Sequence, residues 1–138
     1  HENLVDYSYK AAVQTHKEGV PVMRPLFLMY PEQKEAWKDW QSYLYGPDIL
    51  VSPVWREGSE VERNVYLPAG ENWVDAWTGK SYKGGRHVKV ECPVYKIPIF
   101  TRKGSSVDLG DLNGLWKESV KKVEQWPKMS ELEAAEKW

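Results

Sequence analysis

Leu4, Ser8, Ala11, Ala12 and Thr15 recur at the spacing of one helical face, with Val5, Tyr9 and Val13 beside it. Gly19 is placed to cap the C-terminal end and Pro21 prevents continuation, so one helix is predicted over roughly residues 2–18. From Val22 the period changes. Val22 to Tyr30 is apolar and broken by Pro25, which demotes part of it to an edge or a bulge. Glu32 to Tyr45 is ambiguous: Ala36, Trp37, Trp40 and Leu44 have helical spacing, while Tyr43-Leu44-Tyr45 favours a strand. Ile49 to Val54, between Gly46-Pro47 and Gly58, reads as a short strand buried on both faces. Val61, Val65 and Leu67 alternate with Glu62, Asn64 and Tyr66 up to Pro68, which predicts a half-buried strand. Trp73 to Trp77 is a further strand closed by Thr78-Gly79. Val88 and Val90 alternate with His87, Lys89 and Glu91 after the Gly84-Gly85 turn, and Val94 to Thr101 closes the series.

After Gly104 the chain turns polar and then helical. Leu112, Trp116, Val120 and Val123 form an apolar stripe that Pro127 interrupts, and Ser130 with Glu133 makes a capping box for a last short helix. Such an amphipathic tail is expected to pack on something. Short strands with turn signals every 8 to 12 residues or so suggest a sandwich. The predicted fold is mainly β: an antiparallel β-sandwich preceded by one helix and followed by a helical tail.

Composition narrows the function classes. The length of 138 residues suits one domain with a modest core. A formal net charge of −1 with both signs interspersed gives no footprint for nucleic acid. No apolar run is long enough for a membrane span, and no basic stretch followed by an apolar one marks a signal peptide. The chain begins at His1 in mid-helix pattern, which reads as a fragment. A lone Cys92 excludes an intrachain disulfide framework. His1, His16 and His87 lie too far apart, and too far from Cys92, for a structural zinc site. Eight Trp and eight Tyr against two Phe fit sugar stacking, but they fit ordinary cores and interfaces as well.

Hydrolysis of a glycosidic bond generally needs two carboxyl groups, about 5 Å apart when configuration is retained. Asp6, Asp39, Asp48, Asp75, Asp108 and Asp111 are available, yet none has a context that argues for tuning. Asp48, after Gly-Pro and before a strand, is expected to fix a turn by bonding backbone N–H groups. Asp75 lies between Trp73 and Trp77, and alternation would put all three on one strand face. Cys92, followed by Pro93, is expected to be a buried inert thiol. Gly84-Gly85 is a turn and no phosphate loop, because no helix with Lys-Ser or Lys-Thr follows. Arg24, a charge in an apolar stretch, must find a partner or water, and is a candidate anchor to a neighbour. Read from the residues alone, this is a Trp-rich β-domain without an active site of its own.

The segments in order resemble a known family. Gly19-Val20-Pro21-Val22-Met23-Arg24-Pro25-Leu26, Tyr30-Pro31 and Tyr43 through Val54 are similar to successive motifs of glycoside hydrolase family 31. Gly58 with Arg63 to Pro68, Trp73-Val74-Asp75-Ala76-Trp77-Thr78-Gly79, and Ile97-Pro98-Ile99-Phe100-Thr101-Arg102-Lys103-Gly104 continue that order. From Ser105 onward the resemblance fades. It implies a larger α-glycosidase with an N-terminal sandwich, a (β/α)8 barrel and C-terminal sandwich domains. Residues 1–18 would be the last barrel helix, 19–105 the proximal C-terminal β-sandwich domain, and 106–138 a helical C-terminal tail.

In that family the nucleophile and acid/base are aspartates on barrel strands, so no catalytic residue is carried over, and no cofactor-binding or metal residue either. Trp73-Val74-Asp75 mimics the start of the nucleophile motif but belongs to the downstream pattern. The resemblance implies retaining hydrolysis of an α-linked glycoside by the parent enzyme, with this portion supporting the barrel through the Arg24 and Ile49–Val54 region. The implied partners are the rest of that glycosidase and its glycoside substrate, with neither nucleic acid nor membrane. Oligomerisation through exposed apolar faces is left open. Two other readings stand beside this one. The first is an autonomous sugar-binding module using Trp37, Trp40, Trp73 or Trp77. The second is a structural domain in a relative that has lost catalysis.

Overall fold

In a computed structural model of the chain, residues 2–54, 62–93 and 96–123 are described. A turn of 3-10 helix at Glu2–Leu4 leads into α1 (Val5–Glu18). Gly19 ends the helix at φ 71°, its N–H donating to the Thr15 carbonyl at 2.9 Å, a left-handed cap open to glycine at little cost. Leu4, Ser8, Ala11 and Thr15 of the predicted face are at least partly buried, joined by Tyr7, Val13 and Gln14, whereas Ala12 is exposed. The buried side is broader than the predicted face because Tyr7 and Gln14 are held by polar ends that an apolar stripe does not count. Tyr7 Oη donates to the Tyr45 carbonyl at 2.8 Å and accepts the Asp48 N–H at 2.9 Å.

Eight strands follow among the described residues: β1 (Met23–Pro25), β2 (Tyr43–Tyr45), β3 (Ile49–Val51), β4 (Glu62–Leu67), β5 (Asn72–Asp75), β6 (Ser81–Lys83), β7 (Arg86–Glu91) and β8 (Ile99–Arg102). Six of them form one antiparallel sheet in the order β1-β2-β3-β8-β5-β6, and β4 pairs with β7 in a second. Pro25 sits on the edge strand, where its missing N–H breaks no ladder. Gly46, at φ 62°, makes the tight turn between β2 and β3. The second sheet runs in unbroken register from Glu62 opposite Glu91 to Leu67 opposite Arg86. Its Val65, Leu67 and Val88 close over Leu44, Leu50, Trp73 and Phe100 of the first sheet, with Leu26 and Ala36 in the same core. This is the mainly antiparallel β-sandwich, with a helix before it and another after it, that the pattern predicted.

Several local expectations change. The apolar run after Pro25 folds as a short helix, α2 (Leu26–Met29), because four apolar residues carry no period that separates helix from strand. The ambiguous segment divides into α3 (Lys34–Lys38) and β2. Tyr66, expected outward, is buried: its hydroxyl donates to Gln33 Oε1 at 2.8 Å and its ring lies 5.2 Å from that of His87. The segment carrying Gln33 covers that face, which alternation along β4 cannot reveal. The strand expected over Ile49–Val54 ends at Val51, and the last strand is Ile99–Arg102. Gly58, Val61, Val94, Pro127 and the Ser130–Glu133 box lie outside the described residues. The tail begins as α4 (Leu112–Val123), and Asn113 Nδ2 ties it to the Trp77 carbonyl at 3.0 Å.

Candidate functional site

Trp73 and Asp75 point the same way from β5 into the interior, as alternation requires, with Trp73 Nε1 donating to the Pro68 carbonyl at 3.1 Å. Asp75 Oδ1 accepts the amides of Trp77 at 2.8 Å and Thr78 at 3.3 Å, and the Asp75 carbonyl accepts the Gly79 N–H at 2.8 Å. This is an Asx-stabilised turn, with Gly79 at φ 72°. The turn takes Trp77 out of the strand, so the three residues do not share one strand face. Trp77 Nε1 donates instead to the Ile97 carbonyl at 2.8 Å.

Asp48 also serves structure, in a manner other than expected. Its carboxylate caps no backbone amide among the described residues; it lies 3.5 Å from Arg102 Nε, and its carbonyl accepts the Arg102 N–H at 2.8 Å. Arg102, absent from the candidates read off the sequence, is the centre of this corner. Its guanidinium pairs with Glu71, donates to the Pro47 carbonyl at 2.9 Å, and lies 5.8 Å from the Trp73 ring centre. Burial pushes the neighbouring Tyr30 hydroxyl above its ordinary range. The available signal was its place at a strand end two residues before Gly104.

Two further arginines are structural. Arg24 is 1% exposed, donating through Nε to the Pro21 carbonyl at 2.8 Å and through Nη2 to Gln14 Oε1 at 2.7 Å. It anchors α1 to β1 within this chain, and Ile49 and Leu50 are buried here as well. Arg63 joins the two sheets: Nε reaches Ser52 Oγ at 2.5 Å, Nη1 reaches Gln41 Oε1 at 2.7 Å, and Asp39 lies 3.6 Å away. Asp39 in turn accepts the Ser42 hydroxyl at 2.7 Å and the Ser42 N–H at 3.1 Å. Cys92 is buried just past β7, and burial pushes its thiol pKa up, which favours the protonated form.

The tryptophans divide. Trp73 is fully buried and offers no face to a ligand. Trp37 stacks on Phe27 at 4.9 Å, with Nε1 donating to the Pro31 carbonyl at 2.8 Å, and Trp40 is 76% exposed. Trp77 borders a cleft of about 200 Å3 that opens between the β5–β6 hairpin and β7. Asp75, Tyr82, Lys89, Glu91 and Lys96 line it with Trp77. Among the described residues no group of three or more His, Cys, Asp or Glu could hold a metal ion. None of the described helices is long and apolar enough to cross a membrane.

Residues 19–107 match the Glycosyl hydrolase family 31 C-terminal domain. The chain is 42% identical over 103 residues to a sulfoquinovosidase of Agrobacterium fabrum, covering 75% of this chain and 15% of that protein. It is 38% identical over 106 residues to an α-xylosidase of Saccharolobus solfataricus, covering 77% and 14%. A crystal structure of a family 31 α-xylosidase from a soil metagenome, complexed with xylose, superposes with a TM-score of 0.73 at 42% identity, over 77% of this chain and 16% of that one. The chain thus spans about one seventh of the length of the relatives it matches. From Gly19 to Val107 it carries one family's match on the sandwich described above, and it belongs to glycoside hydrolase family 31, in the C-terminal domain.

Proposed function

We propose that this chain is the C-terminal portion of an α-glycosidase that hydrolyses with retention, and that it supports the barrel without itself cleaving bonds. Residues 1–18 are then the last barrel helix, 19–105 the proximal sandwich and 106–138 the tail, with no catalytic, cofactor-binding or metal residue among them. One observation carries this reading: the acids nearest the family motifs are committed to structure. Asp75 holds a turn, Asp48 faces Arg102, and Asp39 bonds Ser42. A general acid or nucleophile would have to leave those bonds.

The partner is the remainder of the glycosidase, and α1 supplies a surface for it. Val5 and Tyr9 are 62% and 71% exposed on the helix side away from the sheet. A helix packed on one side by a sheet and apolar on the other is suited to lie between two layers. The replacements Val5→Glu and Tyr9→Glu test this in a longer protein that includes the barrel. The expected result is a melting temperature lower by several degrees, with kcat of the folded fraction unchanged. An unchanged melting temperature would remove α1 as the contact.

A further inference from the structure

Beyond that supporting role, and independently of it, the cleft beside Trp77 has the composition of a ligand site. Its walls come from both sheets: Asp75 from the end of β5 and Trp77 from the turn after it, Tyr82 from β6, and Lys89 and Glu91 from β7. Lys96 closes one side, with Phe100 of β8 in the lining. At about 200 Å3 it falls below the roughly 300–1,000 Å3 of sites for drug-sized molecules, so it has room for a single ring.

The charges of the lining decide between ligand classes. Two lysines face two carboxylates, and Lys89 is further paired with Glu62. A balanced lining favours no ion. It presents strong donors and strong acceptors together, beside aromatic surface, which is what a polyhydroxylated ring requires: hydroxyls that both give and accept hydrogen bonds, and C–H faces that pack on aromatic rings.

The parts are already fixed in place. Trp77 is held by its indole bond to Ile97 and by the Asp75 turn, so little order is lost when a ligand arrives. Asp75 Oδ1 takes the two turn amides, and its second oxygen receives no hydrogen bond from the described residues. Lys96 lies 5.5 Å from the Trp77 ring centre with no carboxylate partner among the described residues, so its ammonium can turn to a hydroxyl without breaking an ion pair. We propose that this cleft binds one ring of a neutral saccharide, with Trp77 and Tyr82 as the apolar contacts and Asp75, Glu91, Lys89 and Lys96 as the polar ones.

The test is a two-dimensional NMR titration of the 138-residue chain with glucose, xylose, maltose and inorganic phosphate, each to tens of millimolar. The expected result is saturable movement of the Trp77 indole signal and of the Thr78 amide by at least one of the sugars, and none by phosphate. Trp77→Ala should weaken that sugar at least tenfold. Because Trp77 also braces the turn, Glu91→Ala, on the exposed strand end, is the second variant, and it should weaken the sugar severalfold with the spectrum otherwise intact. No movement with any sugar, movement confined to Trp37 and Trp40, equal movement with phosphate, or unaltered binding in both variants would each overturn the proposal.

Discussion

The Tyr7 hydroxyl occupies the space that a side chain at position 46 would need. A Cβ built on Gly46 would lie 2.7 Å from Tyr7 Cζ and closer still to its Oη. In that space the hydroxyl bridges the Tyr45 carbonyl and the Asp48 N–H, the two sides of the β2–β3 turn. Helix and sheet are joined through a position that must be glycine twice over, for its φ of 62° and for its missing side chain.

Gly46→Ala should therefore cost about 2–3 kcal/mol in urea unfolding of this chain, combining left-handed strain with the overlap. Tyr7→Phe should cost about 1–2 kcal/mol, because it leaves the Asp48 N–H and the Tyr45 carbonyl without their partner. The double variant Tyr7→Ala/Gly46→Ala should lose less than Tyr7→Ala and Gly46→Ala made separately lose together, since removing the ring removes the clash. Strict additivity would separate the two residues.

The same hydroxyl predicts an alkaline transition. Burial pushes the Tyr7 pKa from 10.0 up to about 12, against a smaller opposing effect of the Asp48 N–H. A group that binds its proton more tightly when folded stabilises the fold in full below pH 10, and that contribution is lost as pH rises through 10 towards 12. Burial raises Tyr30 and Tyr66 as well, so they add to the slope. Stability measured across that window should fall in the native chain and fall less steeply in Tyr7→Phe. Identical slopes would contradict the assignment.

The tryptophans should separate into two classes. Trp73→Ala removes a fully buried ring, its bond to the Pro68 carbonyl and the surface under Arg102, and should cost about 3–5 kcal/mol. Trp40→Ala, at an exposed position, should change stability by less than about 0.5 kcal/mol. Thermal unfolding of both variants checks the contrast.

Arg63→Ala should cost about 2–3 kcal/mol, since it strips Ser52, Gln41 and Asp39 of a shared donor in a largely buried place. Arg63→Ala/Asp39→Asn should be less than additive because the lone carboxylate is gone as well. Urea midpoints of the two variants decide it.

Much of the fold was legible because glycine and proline punctuate it. Gly19 and Pro21 end the first helix, and Pro68, Gly79 and Gly84-Gly85 bound strands whose alternation is clear in Val65, Leu67 and Val88. The failures share a cause: the deciding contact lies far along the chain. Tyr66 turns inward because Gln33 meets it, and Tyr7 joins the buried side of α1 because it reaches Asp48. Asp75 and Trp77 part because Asp75 holds the amides of the turn that ends the strand. Arg102 gathers Pro47 and Glu71 through pairings that no local period encodes. The cleft was out of reach for the same reason, since its walls meet only when β5, β6 and β7 come together.

These residues are proposed to belong to an α-glycosidase and not to perform its chemistry. Hydrolysis of aryl α-glucoside and α-xyloside by the purified chain, beside a longer protein that includes the barrel, tests it most directly. Turnover by the longer protein and none by the 138-residue chain is the expected result. Turnover by the chain itself, lost on Asp75→Asn or Asp48→Asn, would contradict it and place the reacting carboxylates in the sandwich.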